Sequence, residues 1–175
     1  MKFIVPIVCL LFLFSCRYNN KQDVNVQNDV IVQNNELSKF EKQKQFLHER
    51  TVSSISIILS DTIFVGKCIL LVYDEMDCDD CIKNGFNIIN RLDTLRVPNT
   101  FVLTSTPNPG RHQLLYDYPK YVFVDKQDLV RKDLKYITTP ILLVLDEHKR
   151  IQQILFPGVS SKKEEDIFIE SCLNW

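Results

Sequence analysis

Apolar and polar positions change their rhythm several times along this chain. Phe3 to Phe14 is an almost unbroken apolar stretch behind Lys2. Arg17 to Asn35 is rich in Asn, Gln, Asp and Lys, with isolated valines and no sustained period. Such a segment cannot bury enough apolar surface to offset its ordering entropy, so it reads as a flexible tether. Glu36 to Arg50 carries a thin stripe, Leu37, Phe40 and Phe46-Leu47, among good helix formers, which predicts a helix. The isoleucines of Ser54 to Leu59 predict a strand, with Asp61-Thr62 as a turn.

Cys68 to Tyr73 (Cys-Ile-Leu-Leu-Val-Tyr) is apolar at successive positions, the mark of a strand covered on both faces. An acidic loop follows at once. From Asp79 to Leu92 the period becomes helical, with Ile82, Phe86, Ile89 and Leu92 on one side. Thr100 to Thr104 and Tyr121 to Val124 predict short strands, separated by Pro107, Pro109 and Gly110 and a short helix around Leu114-Leu115. Pro140 precedes Ile141 to Leu145, another buried strand. Asp146 to Lys149 supplies a turn, and Ile151 to Phe156 the returning strand of a hairpin. After Pro157-Gly158, Ser161 and Glu164 form a capping-box pattern for a last helix burying Ile167, Phe168, Cys172 and Leu173. A buried strand feeding a helix implies a right-handed parallel crossover, and the closing hairpin adds antiparallel strands. The fold class is α/β, with a mixed central sheet and helices on its faces.

At 175 residues there is room for one domain plus a leader. The formal net charge is −1, and no basic stripe or Gly-rich phosphate loop occurs, which argues against nucleic-acid and nucleotide partners. The Phe3–Phe14 stretch is shorter than the about 20 residues of a membrane-spanning helix and fits the core of a secretory signal. It ends in Leu13-Phe14-Ser15-Cys16, which resembles a bacterial lipobox. That resemblance implies cleavage before Cys16 and its lipidation, with each buried methylene of an acyl chain adding about 0.8 kcal/mol of anchoring. The plainer reading is an ordinary signal peptide with a chance cysteine. The expected organisation is a lipoprotein signal over 1–15, a tether with lipidated Cys16 over 16–35, and a domain over 36–175, in the bacterial envelope and facing the periplasm.

Four cysteines then remain in the domain: Cys68, Cys78, Cys81 and Cys172. Cys78-Asp79-Asp80-Cys81 lies where a buried strand turns into a helix. Two intervening residues at a helix start let the sulfurs reach bonding distance, and the N–H groups and dipole there stabilise a thiolate. Cys78, the more exposed, is the candidate nucleophile, and Cys81 the resolving thiol. Cys68 and Cys172 lie within apolar runs and read as small buried hydrophobes, with a mutual disulfide as the alternative. Structural zinc wants four ligands, and a single C-x-x-C with His48, His112 and His148 scattered elsewhere does not supply them, so no metal is expected. The histidines read as surface or turn residues.

These features resemble the thioredoxin family, especially its envelope-anchored branch of TlpA- and ResA-like proteins. Gly66-Lys67, the following strand and Cys78-x-x-Cys81 match the start of its pattern, and Thr139-Pro140 before Ile141 to Leu145 matches its second landmark. The resemblance covers Ser54 to Trp175 and implies a thioredoxin-like fold. It implies that the Thr139–Pro140 peptide is cis, a state found in only about 5–6% of X–Pro bonds, and aligns the substrate backbone beside the disulfide. It further implies thiol–disulfide exchange through Cys78 and Cys81 with protein thiols and disulfides and an unidentified redox donor, without a cofactor.

This chain departs from the family at three places. Asp77 stands where an aromatic residue usually precedes the first cysteine, and Asp80 where proline often precedes the second. Val72 occupies the position of the family's buried proton-transferring acid, six residues upstream of Cys78. Asp74, Glu75, Asp77, Asp79 and Asp80 are therefore candidates for proton transfer or for tuning the thiol pKa values. Their negative charge opposes thiolate formation and points to a reducing-leaning exchanger. A solvated helix start accounts for the same acids without any such role. The competing function is a binding or scaffold lipoprotein of the same fold whose C-x-x-C disulfide is structural. A peroxide-reducing role is disfavoured, because no peroxidase-type Thr/Pro pattern surrounds Cys78.

Overall fold

The continuous apolar runs become the middle of a sheet, because only there are both faces of a strand covered. The computed structural model describes residues 39–60 and 66–174. The predicted Asp61-Thr62 turn, the leader, Cys16 and the tether lie outside these residues. A helix over 39–47 (α1) is followed by α2 (Ile55–Leu59), β1 (Cys68–Tyr73), α3 (Asp79–Thr94) and β2 (Thr100–Thr104). Then come α4 (Gly110–Leu115), β3 (Val122–Val124), α5 (Leu129–Asp133), β4 (Ile141–Leu145), β5 (Ile151–Leu155) and α6 (Lys162–Leu173).

The five strands form one mixed sheet in the order β3-β2-β1-β4-β5. β1 runs parallel to β2, with Ile69 opposite Thr100, and antiparallel to β4, with Val72 opposite Ile141. Period-two alternation divides β1 between two cores. Ile69, Leu71 and Tyr73 face α3 and α6, packing with Phe86, Ile89 and Phe168. Cys68, Leu70 and Val72 face the opposite layer, packing with Leu47, Ile55 and Val130 from α1, α2 and α5. The expected α/β class with helices on both faces of a mixed sheet is what the chain adopts.

The structure corrects the reading at several elements. Ser54 to Leu59 is not a strand; Ile55–Leu59 is a short helix that buries Ile55 and Leu59, one turn apart, and leaves Ile57 in solvent. A strand would have set residues 55, 57 and 59 on one face. The local backbone instead spends its polar groups on the β4–β5 turn and on α5. Val52 N–H donates to the Lys149 carbonyl, and Ser54 N–H and hydroxyl donate to Asp133. Isoleucine's strand preference yields to this tertiary context.

In α6 the buried stripe is Glu165, Phe168, Ile169 and Cys172, so Ile167 and Leu173, expected inside, are exposed. The capping box itself is present: Ser161 Oγ accepts from Glu164 N–H, and Glu164 bonds back to Ser161 N–H at 2.7 Å. The sequence reading assigned nothing to α5. Buried Asp125 organises its start, accepting the Val130 N–H at 2.8 Å.

Candidate active site

β1 ends at Tyr73, and the chain then makes a tight turn over residues 74–77 before α3 begins. Asp77 N–H donates to the Asp74 carbonyl at 3.1 Å. Its two aspartates also accept backbone N–H groups: Asp77 Oδ2 from Asp74 at 2.7 Å, and Asp74 Oδ1 from Met76 at 3.0 Å. Cys78 is the N-cap of α3, and its sulfur accepts the Cys81 N–H at 3.3 Å. Cys78 and Cys81 are joined by a disulfide, with their Cα atoms 5.2 Å apart. Cys78 is exposed and Cys81 half-buried, the order expected of an attacking and a resolving sulfur. Asp79 and Asp80 occupy the first turn of α3, where the helix dipole favours them.

The second landmark lies beside the first. The Thr139–Pro140 peptide is cis, and Thr139 Oγ1 donates to Asp77 Oδ1 at 2.8 Å. Asp77, the residue before Cys78, is therefore bonded directly to Thr139, the residue before Pro140. From the other side, Gly158 packs on Cys81. It has φ +82°, and a Cβ there would come within 2.9 Å of the Cys81 sulfur. Only glycine meets both demands.

The five acids divide into two groups. Glu75, Asp79 and Asp80 are exposed, whereas Asp74 and Asp77 turn inward. Burial works against the charge on Asp74. The Ser105 hydroxyl, the Met76 N–H and Arg131 outweigh it and hold the carboxyl below the usual aspartate range. For Asp77 burial wins: it raises the pKa despite the bonds from the Asp74 N–H and Thr139. Val72 is wholly buried among aliphatic side chains.

Sequence reasoning missed Ser105, Arg131, Gly158 and His112. Ser105 Oγ donates to Asp74 Oδ2, and Arg131 Nη1 pairs with the same oxygen at 3.0 Å. Their separation along the chain leaves no local signal, and Gly158 is marked in the sequence only as part of the Pro157-Gly158 break. His112 corrects the surface assignment. It is buried, edge-on to Tyr73 at 5.3 Å and stacked on Tyr116 at 5.9 Å. The Tyr116 hydroxyl in turn donates to the Asp79 carbonyl. The four-residue spacing of His112 and Tyr116 is the one clue the sequence held. His48 and His148 are exposed as expected.

Cys68 and Cys172 are free and buried. They belong to opposite faces of the sheet, which rules out the mutual disulfide. Among the described residues no group of three or more His, Cys, Asp or Glu side chains is arranged to hold a metal ion.

No family model matches the chain, and no curated protein matches it. Similar solved structures include a thioredoxin-like protein in its oxidized form, at 15% identity and TM-score 0.49, covering 65% of this chain and 82% of that one. StoA from Bacillus subtilis is similar at 16% identity and TM-score 0.43, covering 57% and 80%. A secreted Mycobacterium tuberculosis disulfide oxidoreductase homologous to E. coli DsbE is similar at 9% identity and TM-score 0.48, covering 63% and 82%. The strand order, the Cys78–Cys81 disulfide opening α3 and the cis Thr139–Pro140 bond leading into β4 give this chain a thioredoxin-like α/β fold.

Proposed function

We propose that this chain is a thiol–disulfide oxidoreductase of the bacterial envelope, anchored through a lipid on Cys16 after cleavage of residues 1–15. The observation that carries the reading is the disulfide at the start of α3, with its exposed sulfur on Cys78 and its preceding residue bonded to Thr139. In the reduced protein the Cys78 thiolate attacks a substrate disulfide; a mixed disulfide forms and one substrate thiolate leaves. Cys81 then attacks the Cys78 sulfur, restoring the intramolecular disulfide and releasing the second substrate thiol. Two electrons pass to the substrate, and a donor dithiol returns them to the Cys78–Cys81 pair. Thr139 and Pro140 align the substrate backbone. Asp74, Glu75, Asp77, Asp79 and Asp80 tune the thiols against thiolate formation and make the protein lean towards reduction.

Anchoring by lipid is compatible with the described residues, where no helix is long and apolar enough to cross a membrane.

The test is a Cys81→Ser chain expressed with its leader. It is expected to accumulate mixed disulfides through Cys78 that reductant releases, and the mature wild-type domain to show a potential well below the about −120 mV of strong oxidants. A binding or scaffold lipoprotein with a locked disulfide, a reading favoured by the aliphatic burial of Val72, predicts no trapped partner at all.

A further inference from the structure

Three segments distant in sequence converge on the turn that delivers Cys78: the end of β2 through Ser105, α5 through Arg131, and the start of β4 through Thr139. We propose that Arg131 is a positioning residue for the disulfide: by holding Asp74 it fixes the 74–77 turn, which seats the Asp77 carboxylate on Thr139. Cys78 and the strand carrying Pro140 are thereby held as one unit. The role of that unit in exchange rests on the oxidoreductase reading, whereas the linkage itself does not.

The geometry forms a continuous path. Arg131 Nη1 lies 3.0 Å from Asp74 Oδ2, in an ion pair whose side chains are no more than about a quarter exposed. Partial burial of this kind limits the screening that makes surface pairs weak. Asp74 then holds the turn through the Met76 N–H and through its own backbone, whose N–H is bound by Asp77 Oδ2 and whose carbonyl accepts the Asp77 N–H. The path ends at Thr139 Oγ1, 2.8 Å from Asp77 Oδ1.

The charges around Arg131 give it a second effect. Asp128 lies 3.6 Å from its Nε, and the carboxylates of Asp74, Asp77 and Asp128 all feel its positive charge. Burial raises the proton affinity of Asp77 and Asp128 even with the guanidinium in place. Without Arg131, Asp74 repels both Asp77 and Asp128 with no guanidinium to offset it, and Asp77 is one residue from a sulfur that must bear negative charge during exchange.

The experiment measures the pH midpoint of iodoacetamide alkylation of Cys78 in the reduced protein, in four chains: wild type, Arg131→Gln, Asp77→Asn and the double variant. Arg131→Gln is expected to raise the midpoint by about half a pH unit in the wild-type background and by less than about 0.2 unit when Asp77 is already Asn. If Arg131 only supported the fold, its replacement would lower the melting temperature while leaving the midpoint unmoved, or would shift it equally in both backgrounds. Either result overturns the proposal. Should Arg131→Gln fail to fold, Arg131→Lys takes its place; it is expected to move the midpoint less, with the same dependence on Asp77. Insulin reduction by the same chains separates the two claims. A coupled midpoint shift in a protein that neither reduces insulin nor traps partners sinks the oxidoreductase reading and leaves the linkage standing.

Discussion

His112 shows how one side chain ties the chemistry of the disulfide end to folding. Burial disfavours its imidazolium first, and Arg111 adds to that; Asp79 and Glu75 pull the other way without prevailing, so its pKa lies below the usual 6.5. The ring is held edge-on to Tyr73 and stacked on Tyr116. The unfolded chain therefore takes up a proton near pH 6.5 that the folded chain refuses until lower pH. Where the unfolded state binds more protons, stability rises with pH. Urea midpoints are accordingly expected to fall as pH drops below about 6.5. His112→Phe, which keeps an aromatic ring in the cluster, should flatten that part of the profile. An unchanged slope in the variant would mean that another group carries the effect.

At the level of elements, α6 offers a clean measurement because its start is defined by two reciprocal bonds. Ser161→Ala removes the hydroxyl that accepts the Glu164 N–H and is expected to cost about 1 kcal/mol, read from the shift in denaturant midpoint at constant slope. That cap was legible in the sequence, and so were β1, β4 and α3, because continuous apolar runs and a long 3.6-residue period leave few alternatives. α2 was not: five residues rich in isoleucine carry a strand propensity that only the Val52–Lys149 and Ser54–Asp133 bonds overrule. α5 was invisible for a related reason, since its start is set by Asp125, a buried carboxylate whose partner Val130 lies beyond the turn. The candidate site divides in the same way. Cys78, Cys81, Thr139 and Pro140 stand in motifs that a sequence displays. Ser105 and Arg131 reach Asp74 across 31 and 57 residues, contacts that exist only once the sheet is assembled.

For the molecule as a whole, the four cysteines of the described residues form two classes that report on different motions. The Cys78–Cys81 pair sits at the start of α3, where the exposed Cys78 is open to a reagent. Cys68, on β1, lies under the helices of one face, and Cys172 sits on the buried side of α6 on the other; burial pushes both thiols upward, that of Cys172 to about 11. Neither can react until its own layer has opened. Because β1 contributes to both cores, opening one face exposes side chains whose neighbours in sequence hold the other. The two layers are therefore expected to open together, and Cys68 and Cys172 should be alkylated at the same rate. That rate should be at least about a thousandfold below the rate in denaturant, reflecting the population of the unfolded chain. Mass spectrometry of the peptides bearing each residue, after timed labelling of the reduced protein, provides the readout. Prompt labelling of Cys78 with coincident, slow labelling of Cys68 and Cys172 fits a single cooperative unit around one sheet. If Cys172 reacts well ahead of Cys68, α6 detaches by itself and the cooperative description fails.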